Sequence, residues 1–280
     1  MTITTIFLSF LLLLFGLANS ESQLNDKEQT VLLKLKQHWQ NPPSLSHWQN
    51  PPSLSHLSSS HHCNWPENTC TSGTVTQLLL QNKNITQTVC DLKNLTVINL
   101  SNNFISQEFP KALYNCSKLE DLDLSQNYFN GTIPVDIHRL SGLRHLNLGD
   151  NDLTGELPRS LGNCNGLKIV TVYNNKLSGD IPSGLWTSLN LRVLILSDNS
   201  FMGELPQRVA RNLSRLEINN NYFFGMIPVG VSSWRNLLVF EASNNLFTGT
   251  IPQELTSLPY LTTLFLDQNR LSSSLPTDII

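Results

Sequence analysis

The chain has 280 residues, 40% of them hydrophobic and only 14% charged, with a net charge of −3. So neutral a balance removes the electrostatic basis for a nucleic-acid partner or for adsorption to an anionic membrane surface. About 50 Leu stand beside about 30 Asn; globular cores do not need that much Asn and disordered chains do not carry that much Leu, so a periodic structure must use both.

In chain order, Ile6 to Leu17 is an apolar run too short to span a bilayer, and Ala18-Asn19-Ser20 offers small residues before Glu21. Residues 1–20 therefore read as a cleaved secretory signal, although Met1 to Thr5 lacks the usual basic residue. No later run has the length of a transmembrane helix, so the chain as written is expected to be secreted, extracellular and not inserted in a membrane. Asn25 to Trp39 predicts an amphipathic helix, capped by Asn25 or Asp26, with Val31, Leu32, Leu35 and Trp39 on one face. WQNPPSLSH then occurs twice in tandem, at Trp39–His47 and Trp48–His56. Its Pro-Pro pairs forbid helix, so it reads as a lengthened loop arising from a recent duplication. Cys63 and Cys70 enclose CNWPENTC, which in a secreted chain reads as a disulfide closing a cap over one end of the downstream core. His61 and His62 lack a second ligand pair at zinc spacing, so no metal site is expected.

From there the chain repeats. Asn103, Asn127, Asn151, Asn175, Asn199, Asn221, Asn245 and Asn269 lie 24, 24, 24, 24, 22, 24 and 24 residues apart. Around them runs LxxLxLxxNxLxGxIPxxLxxL, with a degenerate copy before them at Leu78 and Leu80, where Lys83 replaces Asn. This pattern is identified as the plant-type leucine-rich repeat. It predicts an α/β solenoid of about nine coils over residues 75–280 without a C-terminal cap, following an N-terminal helical disulfide cap at residues 21–74. The two leucines of LxL point to one side of a short strand and the residue between them to the other, so stacked coils make a parallel sheet on the concave face. The convex side is expected to be 3-10 or irregular, with Gly and Pro of LxGxIP allowing tight turns. The Asn amide, with donors and acceptor, can satisfy backbone groups as the chain leaves the strand, and stacking repeats this as a ladder.

Cys90 and Cys116 occupy near-equivalent places on neighbouring coils and are open to pairing or to remaining thiols, while Cys164 reads as a small buried thiol. N-x-S/T sequons at Asn84, Asn94, Asn99, Asn115, Asn130 and Asn212 are candidates for glycosylation in a secreted protein. No catalytic signature is present among GxGxxG, GxxxxGK[ST], HExxH, GxSxG and the kinase elements, so neither an enzyme nor a cofactor is expected.

A solenoid binds on its concave surface. One outward column runs through Asp121, His145, Ile169, Val193 and Arg215, and a second through Asp123, Asn147, Thr171, Ile195, Glu217 and Glu241; Tyr173 lies in a third. Ile169, Tyr173, Val193 and Ile195 predict an apolar anchor point on two adjacent coils. The acids around it, with Asp150 and Asp198 from a fourth column, favour an extended basic peptide. Read blandly, the same residues are ordinary exposed aliphatics and solubilising carboxylates.

The cap, the LxGxIP repeats and the stretches CDLKNLTVINLSNNF, YNCSKLEDLDLSQNYFNGTIPVDI and NLSRLEINNNYF resemble the ectodomains of plant leucine-rich-repeat receptor-like kinases, in particular the HAESA-like group. The resemblance runs from about Asp26 to Ile280. It implies perception of a secreted peptide or protein on the concave face with a co-receptor kinase, and signalling by a Ser/Thr kinase in a part of the protein that this chain lacks. Such receptors have about twice as many repeats, and often carry Arg-x-Arg across one LxL for the peptide's terminal carboxylate. Ile169 and Thr171 stand there instead. Two alternatives from other classes are a secreted inhibitor of a cell-wall polygalacturonase, and a non-binding truncated fragment whose last coil exposes Leu264, Leu266, Leu271 and Leu275.

Overall fold

The structure, a computed structural model, describes residues 27–37, 63, 67–72, 74–79 and 87–272. The signal segment, the tandem loop, both ends of the expected first helix, His61, His62, Leu80, Lys83, Asn84 and Leu275 lie outside the described residues.

Residues 27–37 are helical (α1), with Leu32 and Leu35 buried and Val31 half-buried on one face, as the periodicity predicts. Buried Glu28 ties this helix to the first coil, where its Oε2 accepts the Val75 N–H at 2.9 Å. β1 (Asn68–Thr71) and β2 (Thr74–Leu79) form an antiparallel hairpin. The Cys63–Cys70 disulfide ends on β1, with Cα atoms 5.6 Å apart. One coil on, Cys90 and Cys116 are also bonded, with Cα atoms 4.7 Å apart, joining two successive coils on their convex side. In an extracellular setting such a bond stabilises mainly by restricting the unfolded chain, by about 3 kcal/mol for a loop of this length.

From β2 onward each coil contributes one three-residue strand to the concave sheet: β3 (Val97–Asn99), β4 (Asp121–Asp123), β5 (His145–Asn147), β7 (Ile169–Thr171), β9 (Val193–Ile195), β11 (Arg215–Glu217), β13 (Val239–Glu241) and β15 (Thr263–Phe265). All pair in parallel and in register, so that Leu122, Leu146, Val170, Leu194, Leu216 and Phe240 stack as one buried column. The residues on either side of each point outward, which is the period-two consequence of a pleated strand.

The Asn ladder locks coil to coil. The amide nitrogen of Asn127 donates to the Leu124 and Ser125 carbonyls of its own coil and to the Leu100 carbonyl of the coil before, at 2.9–3.1 Å, while its oxygen accepts the Ile105 N–H. The donation back to the preceding coil recurs at Asn151, Asn175, Asn199, Asn221, Asn245 and Asn269. A strand carbonyl such as that of Leu124 thus accepts from two successive ladder amides, and the N–H that each amide oxygen takes, such as that of Ile105, would be orphaned without the ladder at a cost of about 1–3 kcal/mol.

The residues after the ladder depart from the irregular turn that LxGxIP suggests. They form a second sheet, six-stranded among the described residues and all parallel: β6 (Thr154–Glu156), β8 (Lys176–Asp180), β10 (Ser200–Glu204), β12 (Tyr222–Met226), β14 (Leu246–Gly249) and β16 (Arg270–Leu271). Its inner side carries buried Leu153, Leu177, Phe201, Phe223 and Phe247; the Phe223 and Phe247 rings stack with centroids 6.4 Å apart. The recurring Gly of these strands has positive φ, for example 78° at Gly155 and 109° at Gly203, a region that costs a side chain dearly. The following Pro cannot donate to the ladder and ends the strand, and its carbonyl then accepts the i+3 N–H that starts the convex turn, as from Leu161 to Pro158 at 2.9 Å. Those turns are 3-10 at Lys111–Asn115, Arg159–Asn163 and Val229–Ser233, and single α-helical turns at α2 (Ser183–Trp186) and α3 (Gln253–Thr256). Leu264, Leu266 and Leu271 of the last described coil are half-buried against the core.

Candidate functional site

The concave columns lie where strand pairing puts them, and their side chains are more engaged than their letters suggest. Asp121 and His145 meet across β4 and β5, with Oδ2 and Nδ1 2.9 Å apart. The Asp123 carboxylate accepts both the N–H (3.0 Å) and the hydroxyl (2.6 Å) of Ser125, which fastens it to its own turn. Asn147 accepts the Thr171 hydroxyl at 2.6 Å, and Thr171 is left only 8% exposed, so Thr171 contributes little surface for a ligand. Arg215 is held between Glu217, hydrogen-bonded to its Nε, and Glu241, whose Oε1 lies 4.0 Å from the guanidinium; Glu241 also accepts the Asn219 amide at 3.0 Å. The carboxylates of Asp121, Asp123, Glu217 and Glu241 thus outnumber the one guanidinium among these columns, and the face is acidic.

The apolar group divides. Ile169, Val193 and Ile195 sit together on paired strands, with Ile169 opposite Val193 and Thr171 opposite Ile195. Each is half-buried. The Tyr173 ring instead lies over Gly149 of the preceding coil, in the space a Cβ there would fill. Its phenol is pushed up to about 12 by burial first, then by a hydrogen bond to Asp150 and by the charges of Asp150 and Asp123. Tyr173 shares a coil with Ile169, but its ring leans back over the preceding coil, with the acids at the rim and away from Val193 and Ile195.

Asp150 and Asp198 have a structural duty that their column had hidden. Asn102, Gln126, Asp150, Asn174, Asp198, Asn220, Asn244 and Gln268, the residues just before the ladder, all have φ between 49° and 59°. Short polar side chains tolerate that left-handed conformation best, which explains the amide and acid bias without a ligand. They also bond to one another along the rim: the amides of Asn174 and Asn220 donate to Asp150 and Asp198, both at 2.6 Å.

Two exposed apolar groups fall outside the columns that flank LxL. Phe104 (76% exposed) and Tyr128 (49%) stack on neighbouring coils where the chain leaves the rim, and Met202, Tyr222, Phe224 and Met226 lie on the outer face of the second sheet. Strand alternation in N-x-[LF]-x-G would have placed both sets outward. Cys164 is a buried thiol whose pKa is pushed up to about 11 by burial. Among the described residues no His, Cys, Asp and Glu cluster suits a metal, and no helix is long and apolar enough to cross a membrane.

Leucine-rich-repeat family models match residues 93–153 and 190–211. The chain is built of leucine-rich repeats, and its solenoid is similar to the ectodomains of plant receptor kinases. A protein of Arabidopsis thaliana named a "probably inactive leucine-rich repeat receptor-like protein kinase" is 44% identical over a 72-residue alignment that covers 23% of this chain and 8% of that one. The solved ectodomain of GASSHO1/SCHENGEN3 from Arabidopsis thaliana, in complex with CASPARIAN STRIP INTEGRITY FACTOR 2, superposes with a TM-score of 0.78 at 30% identity, covering 89% of this chain and 31% of that one. The Arabidopsis HAESA ectodomain with an IDA peptide hormone gives 0.79 at 27%, covering 90% and 42%. The solenoid thus spans less than half the length of the receptors it matches.

Proposed function

We propose that this chain is an extracellular ligand-recognition module that takes a secreted peptide or small protein, basic and extended, along its concave face in plant signalling. In this reading residues 1–20 direct secretion, 21–74 cap the solenoid and 75–280 carry recognition. The observation that carries it is the unbroken in-register sheet from β2 to β15, whose outward columns place Asp121, Asp123, Glu217 and Glu241 on both sides of the Ile169–Val193–Ile195 group. Coils about 4.8 Å apart match no small-molecule cleft, whereas an extended chain crosses several of them and meets a new pair of outward residues at each. Similar ectodomains have been solved with peptide hormones, and HAESA also with the co-receptor SERK1. Output through a co-receptor kinase is the corresponding proposal here. Arg215 is occupied by Glu217 and Glu241, so a terminal carboxylate has no free guanidinium among these columns, and the basic side chains of the ligand supply the attraction instead.

The test is to screen the purified full chain against two sets of synthetic peptides of equal length and opposite net charge. Basic peptides should bind and weaken with salt. The best binder should lose tenfold or more with Ile195→Ala, which breaks the aliphatic group at the centre of the face without adding charge; a tenfold loss corresponds to about 1.4 kcal/mol. Equal binding of both sets, or an unchanged affinity for the variant, would overturn the reading.

A further inference from the structure

We propose that an N-linked glycan on Asn130 folds back on the Phe104–Tyr128 ring pair and fills the groove beside it. The sequons are unequal in this fold. Asn94 accepts from Lys118 Nζ at 2.6 Å, the Asn99 amide oxygen is taken by the N–H and hydroxyl of Ser101, and the Asn212 amide donates to the Leu189 carbonyl at 2.8 Å. Asn115 ends a 3-10 turn beside the disulfide-bonded Cys116.

Asn130 is exposed, and its side-chain amide makes no hydrogen bond among the described residues, although its backbone is pinned by the N–H donated to Gln107 at 3.0 Å. Thr132, which completes the sequon, is exposed too. Between them Gly131 takes φ 72°, closed to other residues without strain.

What singles the site out is its neighbour. Tyr128 lies two residues before Asn130 on an extended segment, so the two side chains leave the same face. Phe104 continues the platform one coil earlier, its ring centroid 6.3 Å from that of Tyr128 and its plane inclined by 20°. Two large aromatic faces left this open present a surface for an apolar ligand face. The groove they line holds about 470 Å3 and is walled further by Gln126, Asp150, Asp152 and Lys176. Its one cation is spent on an anion, Lys176 bonding Asp152 at 2.6 Å, and the remaining carboxylate, Asp150, accepts the Asn174 amide at 2.6 Å. An aromatic and amide-lined groove with one unneutralised carboxylate fits a neutral sugar, whose C–H face meets the rings while its hydroxyl and acetamido groups reach the amides and the Asp150 carboxylate. Attachment uses a lipid-diphosphate-linked oligosaccharide donor: the Asn130 Nδ2 bonds to C1 of the first sugar, loses a proton, and the C1–O bond to the lipid diphosphate breaks. The glycan would then cover this rim and leave the ten-stranded face clear.

The experiment uses the full chain secreted from a plant cell host. Glycopeptide mass spectrometry should find Asn130 occupied, and an unoccupied Asn130 would overturn the proposal. Asn130→Gln should lower the thermal midpoint by about 2–4 °C, the shift expected when about 1 kcal/mol is lost in a chain of this size, but should leave it unchanged when Phe104 and Tyr128 are already Ser. An equal drop in both backgrounds would overturn the idea. Should the double-Ser variant fail to fold, the N-acetyl methyl of the first sugar decides in the native glycoprotein. An upfield ring-current shift of its proton resonance is expected, and a solution-like position would overturn the proposal.

Discussion

The inner corner of the coils and the rim one residue earlier are built from the same side-chain chemistry and use it for opposite purposes. Asn245 is buried, its amide divided among three carbonyls and its oxygen accepting the Phe223 N–H. Asn244, its neighbour, is exposed, holds φ 51°, and donates its amide to Asn220 of the preceding rim position at 2.9 Å. An amide at the corner is selected by what it bonds, and one at the rim by the backbone conformation it tolerates. Letters that look like one polar motif are two columns with unrelated physics, and neither needs a ligand to explain it.

The sharpest way to break this comparison is Asn245→Ala. It takes one of two donors from each of the Ile218, Ala242 and Ser243 carbonyls, which keep Asn221, Asn269 and the Asn220 N–H, and it leaves the buried Phe223 N–H without its acceptor. With about 1–3 kcal/mol for the orphaned N–H and a smaller cost for the three lost bonds, the loss should be about 2 kcal/mol or more, read from urea unfolding of the full chain. Coupling between adjacent coils should spread the effect beyond its own repeat. A loss below about 1 kcal/mol would mean that the ladder is ornamental.

Asn244→Ala should cost less, about 1 kcal/mol, because Ala lacks the short polar side chain that eases Asn into the left-handed region, and no buried group is orphaned. Asn244→Gly sharpens the point: it removes the same hydrogen bond to Asn220 yet relieves the backbone, and should come out within about 0.5 kcal/mol of the parent. If Gly were as costly as Ala, the side-chain chain along the rim, and not φ, would be what holds this column.

The same contrast explains what could be read from the letters. The concave sheet, the ladder and the inward leucines were legible because each position obeys one constraint in every coil, so a fixed residue type recurs every 24 residues. The second sheet was not legible. Its strands are two to five residues long and interrupted by a Gly at positive φ, so the brief alternation of N-x-[LF]-x-G sorts inward from outward side chains but is too short to announce a strand. The site was legible only as columns. Register placed Ile169, Val193 and Ile195 together, but nothing in the sequence says that Tyr173 leans the other way, since that depends on Gly149 leaving room one coil earlier. Nor do letters show that Thr171 is shielded or that Arg215 is already engaged, because both depend on side-chain torsions chosen among neighbours on adjacent coils.

Tyr173 offers the smallest effect and the most direct view of where corner, rim and binding face meet. Burial, then the hydrogen bond to Asp150 and the charges of Asp150 and Asp123, hold its phenol protonated up to about 12 against an ordinary value of 10. A folded-state value raised above the unfolded one means that the neutral phenol is favoured by folding. That stabilisation is whole below pH 10 and is lost as the pH rises from 10 through about 12. An ultraviolet titration of phenolate absorbance should therefore show a tyrosine component ionising near pH 12 that Tyr173→Phe removes. Asp150→Asn should bring it down by removing a charge and changing the acceptor. Gly149→Ala should bring it down as well, because the new Cβ takes the ring's place and turns it toward water. If both substitutions left the titration where it was, the ring would not be seated against Gly149 and Asp150. Tyr173 would then be free to join Ile169, Val193 and Ile195, restoring the single apolar anchor that the columns alone suggest.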